Sequence, residues 1–331
     1  MRPRRPHPKI SIVIPMLNEE QLLEGLFNVL LPILRASDCQ SFEIICIDDG
    51  STDQTYQKLE AWAQKTPTLR LIRFTRNFGK EAALLAGFQA SSGDVVIPMD
   101  ADLQDPPHLI PNFLSQWSKG YDVVLGRRTD RSLDSFLKRI TAQLFYRFLS
   151  RLSKVPLFVD VGDFMLLDRK VVDSLLSLPE FPRYTRGLIA WLGYPSTPLP
   201  YKRPSRHSGT TKHTPWKVLT LGITGMVGFT QAPLQLGFPL CTTAIASAII
   251  TYSLYWLGKV DEASIFSSLL IHLLLAGGFL AAGGLGLYIG KILELKQGRP
   301  AFILRESLRC MDKQKMSDIK RNDDKGQYSR G

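Results

Sequence analysis

The N-terminal part of the chain alternates short apolar runs with longer helical stretches. Five runs rich in β-branched residues predict strands at 10–14, 42–47, 69–74, 95–99 and 123–125. The segments between them have the length and apolar spacing of helices. Strands that are joined in this way by helical crossovers form a mainly parallel sheet. The pattern therefore predicts an α/β fold for the region from residue 10 to about residue 126.

The last third of the chain has a different pattern, with two long uncharged apolar runs at 234–257 and 265–289. Each is long enough for the roughly 20 residues of a membrane-spanning helix. Only a short linker containing Lys259 separates them, so we expect an antiparallel transmembrane hairpin. Basic residues are concentrated on both outer flanks of the hairpin, which favours a cytoplasmic position for both ends. The sequence thus predicts a multi-pass protein of the plasma (inner) membrane whose α/β domain and termini are cytoplasmic.

Small residues are frequent in and directly after the second apolar run, at Gly277, Gly278, Gly283, Gly284, Gly286 and Gly290. Such residues let helices approach each other closely within a bilayer, which favours helix pairing and a homo-oligomer. The predicted organisation is a basic segment at 1–9, the α/β domain at 10–212, a juxtamembrane amphipathic helix at 213–232, the hairpin at 233–292 and a cytoplasmic tail at 293–331.

Charge and cysteine content narrow the choice of partners. The formal net charge of +11 would suit nucleic acid, anionic lipid or a phosphorylated substrate. The basic residues crowd around the apolar runs, which favours lipid and phosphate over nucleic acid. The four cysteines show neither paired nor metal-ligand spacing, as expected in a reducing compartment.

Polar residues follow most of the predicted strands, and ligands of open α/β sheets bind beyond the carboxyl ends of strands. Asp100 and Asp102 follow the fourth strand in the segment DVVIPMDADLQDPP. Two carboxylates at a strand end can hold a hard divalent cation that bridges the phosphates of a nucleoside diphosphate. Metal-assisted departure of a diphosphate is the chemistry that this pair suggests.

The second predicted strand ends in IDDGSTDQT. A carboxylate there can accept a hydrogen bond from a nucleotide base, and we expect Asp49 to make this contact. Ser51 and Asp53 are expected to cap the following helix instead.

The segments IPMLNEE, IDDGSTDQT, RNFGKEAALLAG and MDADLQDPP occur here in an order and spacing that resemble family 2 glycosyltransferases with the GT-A fold. Together with GRR, DVGDF, RPSRHSGTTKH and the hairpin, they look most like the polyprenyl-phosphate glycosyltransferases. That group includes the bactoprenol glucosyltransferases and, more distantly, the dolichyl-phosphate mannose synthases. The resemblance covers roughly residues 10 to 305.

The resemblance implies a nucleotide-sugar site and a metal site. It places Pro15, Leu17, Glu19 and Asp49 in the nucleoside pocket, and a diphosphate clamp at Arg203, Arg206 and Lys212. It implies that Asp100 and Asp102, with Gln104 nearby, hold Mg²⁺ or Mn²⁺.

It also implies an acceptor site. Arg128 corresponds to an arginine near the acceptor phosphate, and a second basic contact is expected from either Lys138 or Arg139. Asp160 is expected to be a third site carboxylate, although Asp163 is close enough in sequence to take that role.

The reaction that follows from this resemblance is the inverting, metal-dependent transfer of a hexose to a polyprenyl phosphate. Glucose from UDP-glucose and undecaprenyl phosphate are the expected substrates. The alternatives are mannose from GDP-mannose, an amino sugar from a UDP donor, and a processive polysaccharide synthase of the same fold. A synthase would usually carry a QxxRW-like motif and more spanning helices, and a non-catalytic scaffold would have no need of Asp100 and Asp102.

Overall fold

The computed structural model describes residues 4–129, 161–179, 183–202 and 263–308, with three single positions between 242 and 249. The chain divides into two compact units. Among the described residues, the first unit holds the segments before residue 203 and residues 300–308. The second unit holds residues 263–299 and the three single positions between 242 and 249.

The first unit is built on a sheet whose described part has eight strands in the order β7-β5-β6-β4-β1-β2-β3-β8. The strands are β1 Lys9–Met16, β2 Ser41–Asp48, β3 Leu69–Phe74, β4 Val95–Pro98, β5 Val123–Arg128, β6 Val161–Asp168, β7 Ser196–Tyr201 and β8 Leu304–Leu308. The five predicted strands are confirmed, and β6, β7 and β8 are additional.

Pairing in the sheet is mainly parallel. β1 lies between β2 and β4 and is parallel to both, and the pairs β2–β3 and β5–β7 are also parallel. β6 is inserted between β4 and β5 and runs antiparallel to each, while β8 is antiparallel to β3 at one edge. The α/β fold with a mainly parallel sheet is therefore confirmed.

Helices cover both faces of this sheet. They are α1 Leu23–Ala36, α2 Thr55–Lys65, α3 Lys80–Ala90, α4 Ile110–Ser118, α5 Arg169–Ser177 and α6 Thr185–Leu192. Ile10, Ile12 and Ile14 of β1 belong to one continuous core with α1, α2 and α4. The intervening Val13 faces Gly87 of α3 so closely that a β-carbon there would collide with it. This alternation is the period of two that is expected for a strand buried on both faces.

The sheet topology brings several loops to one edge. Because β1, β2, β3 and β4 are parallel, their carboxyl ends meet there. β6 runs the other way, and the pairing of Val161 with Arg127 places the start of β6 beside the end of β5. Residues at the beginning of β6 therefore share an edge with residues that follow β4.

The C-terminal strand β8 pairs with β3 and forms one lateral edge of the described sheet. Phe302 stacks on Phe74 with ring centroids 4.8 Å apart, and the Thr75 amide donates a 3.0 Å hydrogen bond to the Ile303 carbonyl. Part of the segment that the sequence assigned to a tail thus forms an edge strand.

The second unit contains the helix α7, Ala263–Lys296, which includes the whole of the second predicted span. Large apolar side chains are exposed along it, at Ile271, Leu273, Leu275, Leu285, Leu287, Ile289, Ile292 and Leu293. Over the positions that the structure describes, no helix meets the combined length and apolarity that a membrane crossing requires. The first predicted span, 234–257, lies almost entirely outside the described residues.

Candidate active site

The loops after β1 and β2 are bound to each other by hydrogen bonds. The Asn18 amide donates to the Ser51 hydroxyl at 3.0 Å, and the Asn18 side chain accepts from the Thr52 amide at 2.8 Å. Asn18 has a φ of 53°, a left-handed conformation that asparagine tolerates better than most residues. These bonds fix the segment that carries Pro15, Leu17 and Glu19, all of which are partly buried. The predicted nucleoside-pocket residues at and after the end of β1 are therefore held beside the β2 loop.

Asp49 positions a neighbouring loop in addition to any contact with a ligand. Its two carboxylate oxygens accept hydrogen bonds from the amides of Phe78 and Gly79, at 2.7 and 2.9 Å. Burial raises the pKa of Asp49, while these two hydrogen bonds oppose the rise. The base contact that the sequence predicts stays a prediction, and the structure adds a role in holding the loop before α3.

Asp100 and Asp102 lie just after β4, at the edge where the parallel strands end. Asp102 accepts a 3.1 Å hydrogen bond from the Gln104 amide, and Leu103 between them has a left-handed φ of 57°. The backbone therefore turns sharply at this point, which keeps both carboxylates and Gln104 partly exposed at the sheet edge. Strained non-glycine residues of this kind are concentrated at functional sites.

Lys80, the first residue of α3, joins Asp100 to Asp163. Its Nζ lies 2.5 Å from Oδ1 of Asp100 and 2.7 Å from Oδ2 of Asp163. Burial alone would lower the pKa of Lys80, but these two carboxylates outweigh burial and raise it above its ordinary value. The side chain is therefore a permanent cation at neutral pH, and it brings two carboxylates from distant parts of the sequence side by side.

Asp163 is paired with a second cation. Nε of Arg186, on α6, lies 3.2 Å from Oδ1 of Asp163. Burial would raise the pKa of Asp163, but Lys80 and Arg186 outweigh burial and hold the pKa below its ordinary value. Asp163 therefore stands at the site as a charged carboxylate. Asp160, the alternative third carboxylate, lies outside the described residues.

Behind the Asp100 loop lies the buried carboxylate of Asp105. It accepts hydrogen bonds from the Asp100 amide at 3.2 Å and from the Tyr201 hydroxyl at 3.2 Å. Burial, and then the charge of Asp100, raise the pKa of Asp105 to about 7, against the opposing effect of Arg128. Burial and then the neighbouring Asp105 raise the pKa of Tyr201 to about 12, so its hydroxyl remains a donor. Asp105 is thus an internal support of the loop.

Arg128, the predicted acceptor-phosphate contact, ends β5 close to this support. Its Nε donates to the Tyr201 hydroxyl at 3.3 Å, and one terminal nitrogen lies 3.9 Å from Asp105. The side chain is about one third exposed, so the guanidinium retains donors for a ligand. The other predicted phosphate contacts lie outside the described residues: Lys138, Arg139, Arg203, Arg206 and Lys212.

Several residues of the site were not found by sequence reasoning. They are Lys80, Asp105, Arg186 and Tyr201. Lys80 lies within the segment RNFGKEAALLAG and Asp105 within MDADLQDPP, so their positions in recognisable segments were a usable signal. Arg186 and Tyr201 lie in segments without such a pattern. Both Ser51 and Asp53 were predicted to cap α2, but the N-cap residue is Gln54, which makes no side-chain cap hydrogen bond. Asp53 accepts from the amide of Thr55, the first residue of α2, whereas Ser51 accepts from the Asn18 amide.

The carboxylates at this edge suit a divalent-cation site that is only partly enclosed by protein ligands. Within the part of the chain that the structure describes, no group of three or more His, Cys, Asp and Glu side chains is arranged as a closed metal site. Asp100 and Asp102 offer hard oxygen ligands on an exposed edge. Mg²⁺ commonly binds through one or two carboxylates and completes its shell with water and substrate phosphates.

Comparison with known proteins gives a family match over half of the chain. The family model described as glycosyl transferase family 2 matches residues 11–176. This range runs from within β1 to the end of β6 and into α5, and therefore contains Asp100, Asp102 and Asp163.

Individual relatives match over nearly the whole length. An uncharacterised glycosyltransferase of Synechocystis sp. is 36% identical over 90% of this chain and 95% of its own. The SfII prophage-derived bactoprenol glucosyl transferase of Shigella flexneri is 36% identical over 91% of this chain and 99% of its own. Among solved structures, a mannosyltransferase from Pyrobaculum calidifontis in complex with GDP-Man and Mn²⁺ gives a TM-score of 0.43 at 18% identity, over 83% of this chain and 87% of that one.

Proposed function

Because this chain belongs to glycosyl transferase family 2, we propose that it transfers glucose from UDP-glucose to undecaprenyl phosphate, with inversion at the anomeric carbon. That the chain is a glycosyltransferase follows from the family. The choice of acceptor is supported by relatives that are named bactoprenol glucosyl transferases and match over nearly their full length.

The observation that carries the proposal is the charged cluster at the carboxyl edge of the sheet. Asp100 and Asp102 face the open edge, and the cations Lys80 and Arg128 lie at the same edge. A site for a nucleoside diphosphate needs carboxylates for a metal and cations for phosphate, and this edge provides both.

A divalent cation, Mg²⁺ or Mn²⁺, held by Asp100 and Asp102 with Gln104 nearby, would neutralise the diphosphate as it leaves. The protein's own part is to hold the two carboxylates at the strand end. The hydrogen bonds from the Asp100 amide to Asp105, and from the Gln104 amide to Asp102, do this.

The acceptor needs cations more than it needs a base. A phosphate monoester has a second pKa of about 6, so it is largely dianionic at neutral pH and is already nucleophilic. Arg128, with either Lys138 or Arg139, would orient the acceptor phosphate by charge-assisted hydrogen bonds. Arg203, Arg206 and Lys212 would contact the donor diphosphate. In this scheme Asp163, held by Lys80 and Arg186, orients charged groups and does not remove a proton.

We further propose that the second unit anchors the enzyme to the plasma membrane through the hairpin 234–257 and 265–289, with the sheet domain and both termini cytoplasmic. Successive residues of a helix are 100° apart, so exposed apolar residues spaced by two, such as Ile271 and Leu273, lie on opposite faces of α7. A helix that is apolar on opposite faces suits lipid or neighbouring helices on all sides. The six glycines of α7 favour homo-oligomers through close helix pairing.

The proposal is tested with the purified full-length protein in detergent, undecaprenyl phosphate, and separate UDP-glucose, UDP-N-acetylglucosamine and GDP-mannose donors. Formation of a glucosyl lipid from UDP-glucose alone is expected. Transfer from GDP-mannose or from the amino-sugar donor would show that glucose is not the sugar transferred. If no donor gave transfer to the lipid, the proposal that undecaprenyl phosphate is the acceptor would be rejected.

The metal role is tested with Asp102→Asn. Its turnover should fall roughly 100-fold or more, because the negative charge that develops on the departing diphosphate would no longer be neutralised by the metal. The matched control is Asp173→Asn, which changes an exposed aspartate that pairs with Arg169 on α5. Full turnover by a folded Asp102→Asn protein would remove the metal role.

A further inference from the structure

The ion pair between Lys80 and Asp100 occupies Oδ1, one of the two carboxylate oxygens that Asp100 could offer to a metal ion. Nζ lies 2.5 Å from Oδ1 of Asp100, which is hydrogen-bond contact. A divalent cation binds to carboxylate oxygens directly, at 2.0–2.6 Å for Mg²⁺ and Ca²⁺. An ammonium and a metal ion cannot both occupy that oxygen at contact distance without strong mutual repulsion.

We propose that Lys80 is an internal counter-cation that competes with the divalent ion for Asp100, so that the metal binds only when the ammonium withdraws. The inference rests on the proposed metal role of Asp100 and adds to it a mechanism that sets the affinity of the site. Lys80 is in this sense a positioning residue that acts through Asp100.

The structure gives the ammonium a place to withdraw to. Lys80 Nζ is already 2.7 Å from Oδ2 of Asp163, so it keeps one anionic partner after leaving Asp100. Its side chain is 42% exposed and carries its charge on a flexible four-carbon stem. An arginine would offer a rigid fork in place of this movable point charge.

Competition of this kind makes the affinity for the metal depend on whether the nucleotide is bound. Without a nucleotide, a metal ion adds two positive charges beside Lys80, and this repulsion weakens binding. A diphosphate brings negative charge that offsets both cations. The metal should therefore bind weakly to the free protein and more tightly in the presence of UDP.

The variant Lys80→Met removes the competitor at small structural cost. Asp163 keeps its 3.2 Å ion pair with Arg186, so no buried carboxylate is left without a cation. Asp100 is 30% exposed and can be hydrated in place of the ammonium. Methionine also preserves most of the apolar stem.

A matched control is Lys170→Met. Lys170 makes an equally short ion pair, 2.7 Å from Asp122, which precedes β5. The site lies at the other end of β5, which at about 3.3 Å per residue is roughly 20 Å away. This variant therefore removes a paired lysine and one positive charge without touching the candidate site.

The experiment measures Mn²⁺ binding to the full-length protein in detergent by electron paramagnetic resonance of free Mn²⁺, without and with UDP. In the absence of nucleotide, Lys80→Met should bind Mn²⁺ about tenfold more tightly than the unsubstituted protein, because a neighbouring positive charge is gone. Lys80→Arg and Lys170→Met should bind no more tightly than the unsubstituted protein. Thermal unfolding checks that all variants are folded.

An unchanged or weaker Mn²⁺ affinity in folded Lys80→Met, with normal binding by the unsubstituted protein, would overturn the competition and leave the metal role intact. No Mn²⁺ binding by the unsubstituted protein, even with UDP, would overturn the metal role itself and the competition with it. A tightening in Lys170→Met equal to that in Lys80→Met would also overturn the proposal, since it would reflect net charge alone.

Discussion

Gly162 leaves the space that the guanidinium of Arg128 occupies: a β-carbon on Gly162 would lie 2.8 Å from one terminal nitrogen of Arg128. Gly162 belongs to β6 and Arg128 ends the adjacent β5. The glycine of the DVGDF segment is therefore explained by close approach of a side chain.

Gly162→Ala should displace Arg128 while leaving the fold intact, because the colliding atom is the end of a flexible side chain. Transfer to the lipid phosphate should fall up to about 100-fold, as expected for a displacement near 1 Å in a site that depends on orientation. Initial rates at varied undecaprenyl phosphate provide the measurement. Gly25→Ala, in α1 with open space around it, is the control and should retain full activity. Unaltered kinetics in Gly162→Ala would argue against a role for Arg128.

Gly50→Ala should destabilise the protein strongly. Gly50 has a φ of +73°, and a β-carbon there would lie 2.5 Å from the backbone carbon of Arg76. Backbone cannot move aside as a side chain can, so we expect a loss on the order of 2–4 kcal/mol in the free energy of unfolding. Urea denaturation measures it.

Gly79→Ala is the comparison for that experiment. Gly79 also has a positive φ, +97°, but a β-carbon added there would have no atom within 4 Å of it. Its ψ of 159° places it in a backbone region that is almost confined to glycine, so conformational strain alone, of about 1–3 kcal/mol, is expected there. Equal losses in the two variants would show that the contact between Gly50 and the Arg76 backbone has no energetic weight.

Asp163→Asn should lower turnover and stability together. The substitution leaves Lys80 and Arg186 without the carboxylate that both contact, so the two cations repel each other across a neutral amide. We expect at least a tenfold loss of kcat, because Lys80 would then bind Asp100 without a competing partner. Single-turnover assays and thermal unfolding measure the two effects. A fully active variant would assign Asp163 a structural role alone.

Glu43 gives a pH dependence of stability that is independent of the site. Burial alone would raise the pKa of Glu43, but hydrogen bonds from Ser11 and Ser92 outweigh burial and hold the pKa below its ordinary value. A depressed pKa in the folded state means that the unfolded chain binds the proton first as pH falls. The stabilisation is therefore complete above the ordinary glutamate pKa of about 4.3 and is lost as pH falls through the lower folded value.

Glu43→Gln tests this contribution. The variant should be less stable than the unsubstituted protein at pH 7, and the difference between the two should shrink below about pH 4. Chemical denaturation at a series of pH values provides the comparison. A difference that stays constant across the series would show that the ionised carboxylate has no part in it.

The central strands were predictable because each is a compact, largely apolar run flanked by turn residues. The later strands were not. β7 contains Pro198 and Pro200. Proline is unusual within strands, but it is tolerated here because β7 is an edge strand of the described sheet. β8 follows the long helix and pairs with a strand made far earlier in the chain. Strand pairing of this kind depends on tertiary contacts that no local pattern encodes.

The site was predictable only where its residues are neighbours in sequence. Asp100 and Asp102 were found because they share one strand end. The link from Lys80 to Asp163 required knowing that β6 runs antiparallel between β4 and β5, which brings the start of β6 to the edge where β4 ends. The choice between Asp160 and Asp163 could not be made from spacing for the same reason.

The position of β8 has a consequence for biosynthesis. Translation proceeds from the N-terminus, so residues 304–308 leave the ribosome after every other strand described in the sheet and after the long helix. Until then β3 presents a row of unsatisfied amide and carbonyl groups, which is a template for association with other nascent chains. Completion of the sheet therefore has to wait until both apolar segments have been synthesised. A chain that ends before residue 304 keeps an unpaired β3 edge, which can pair with other chains.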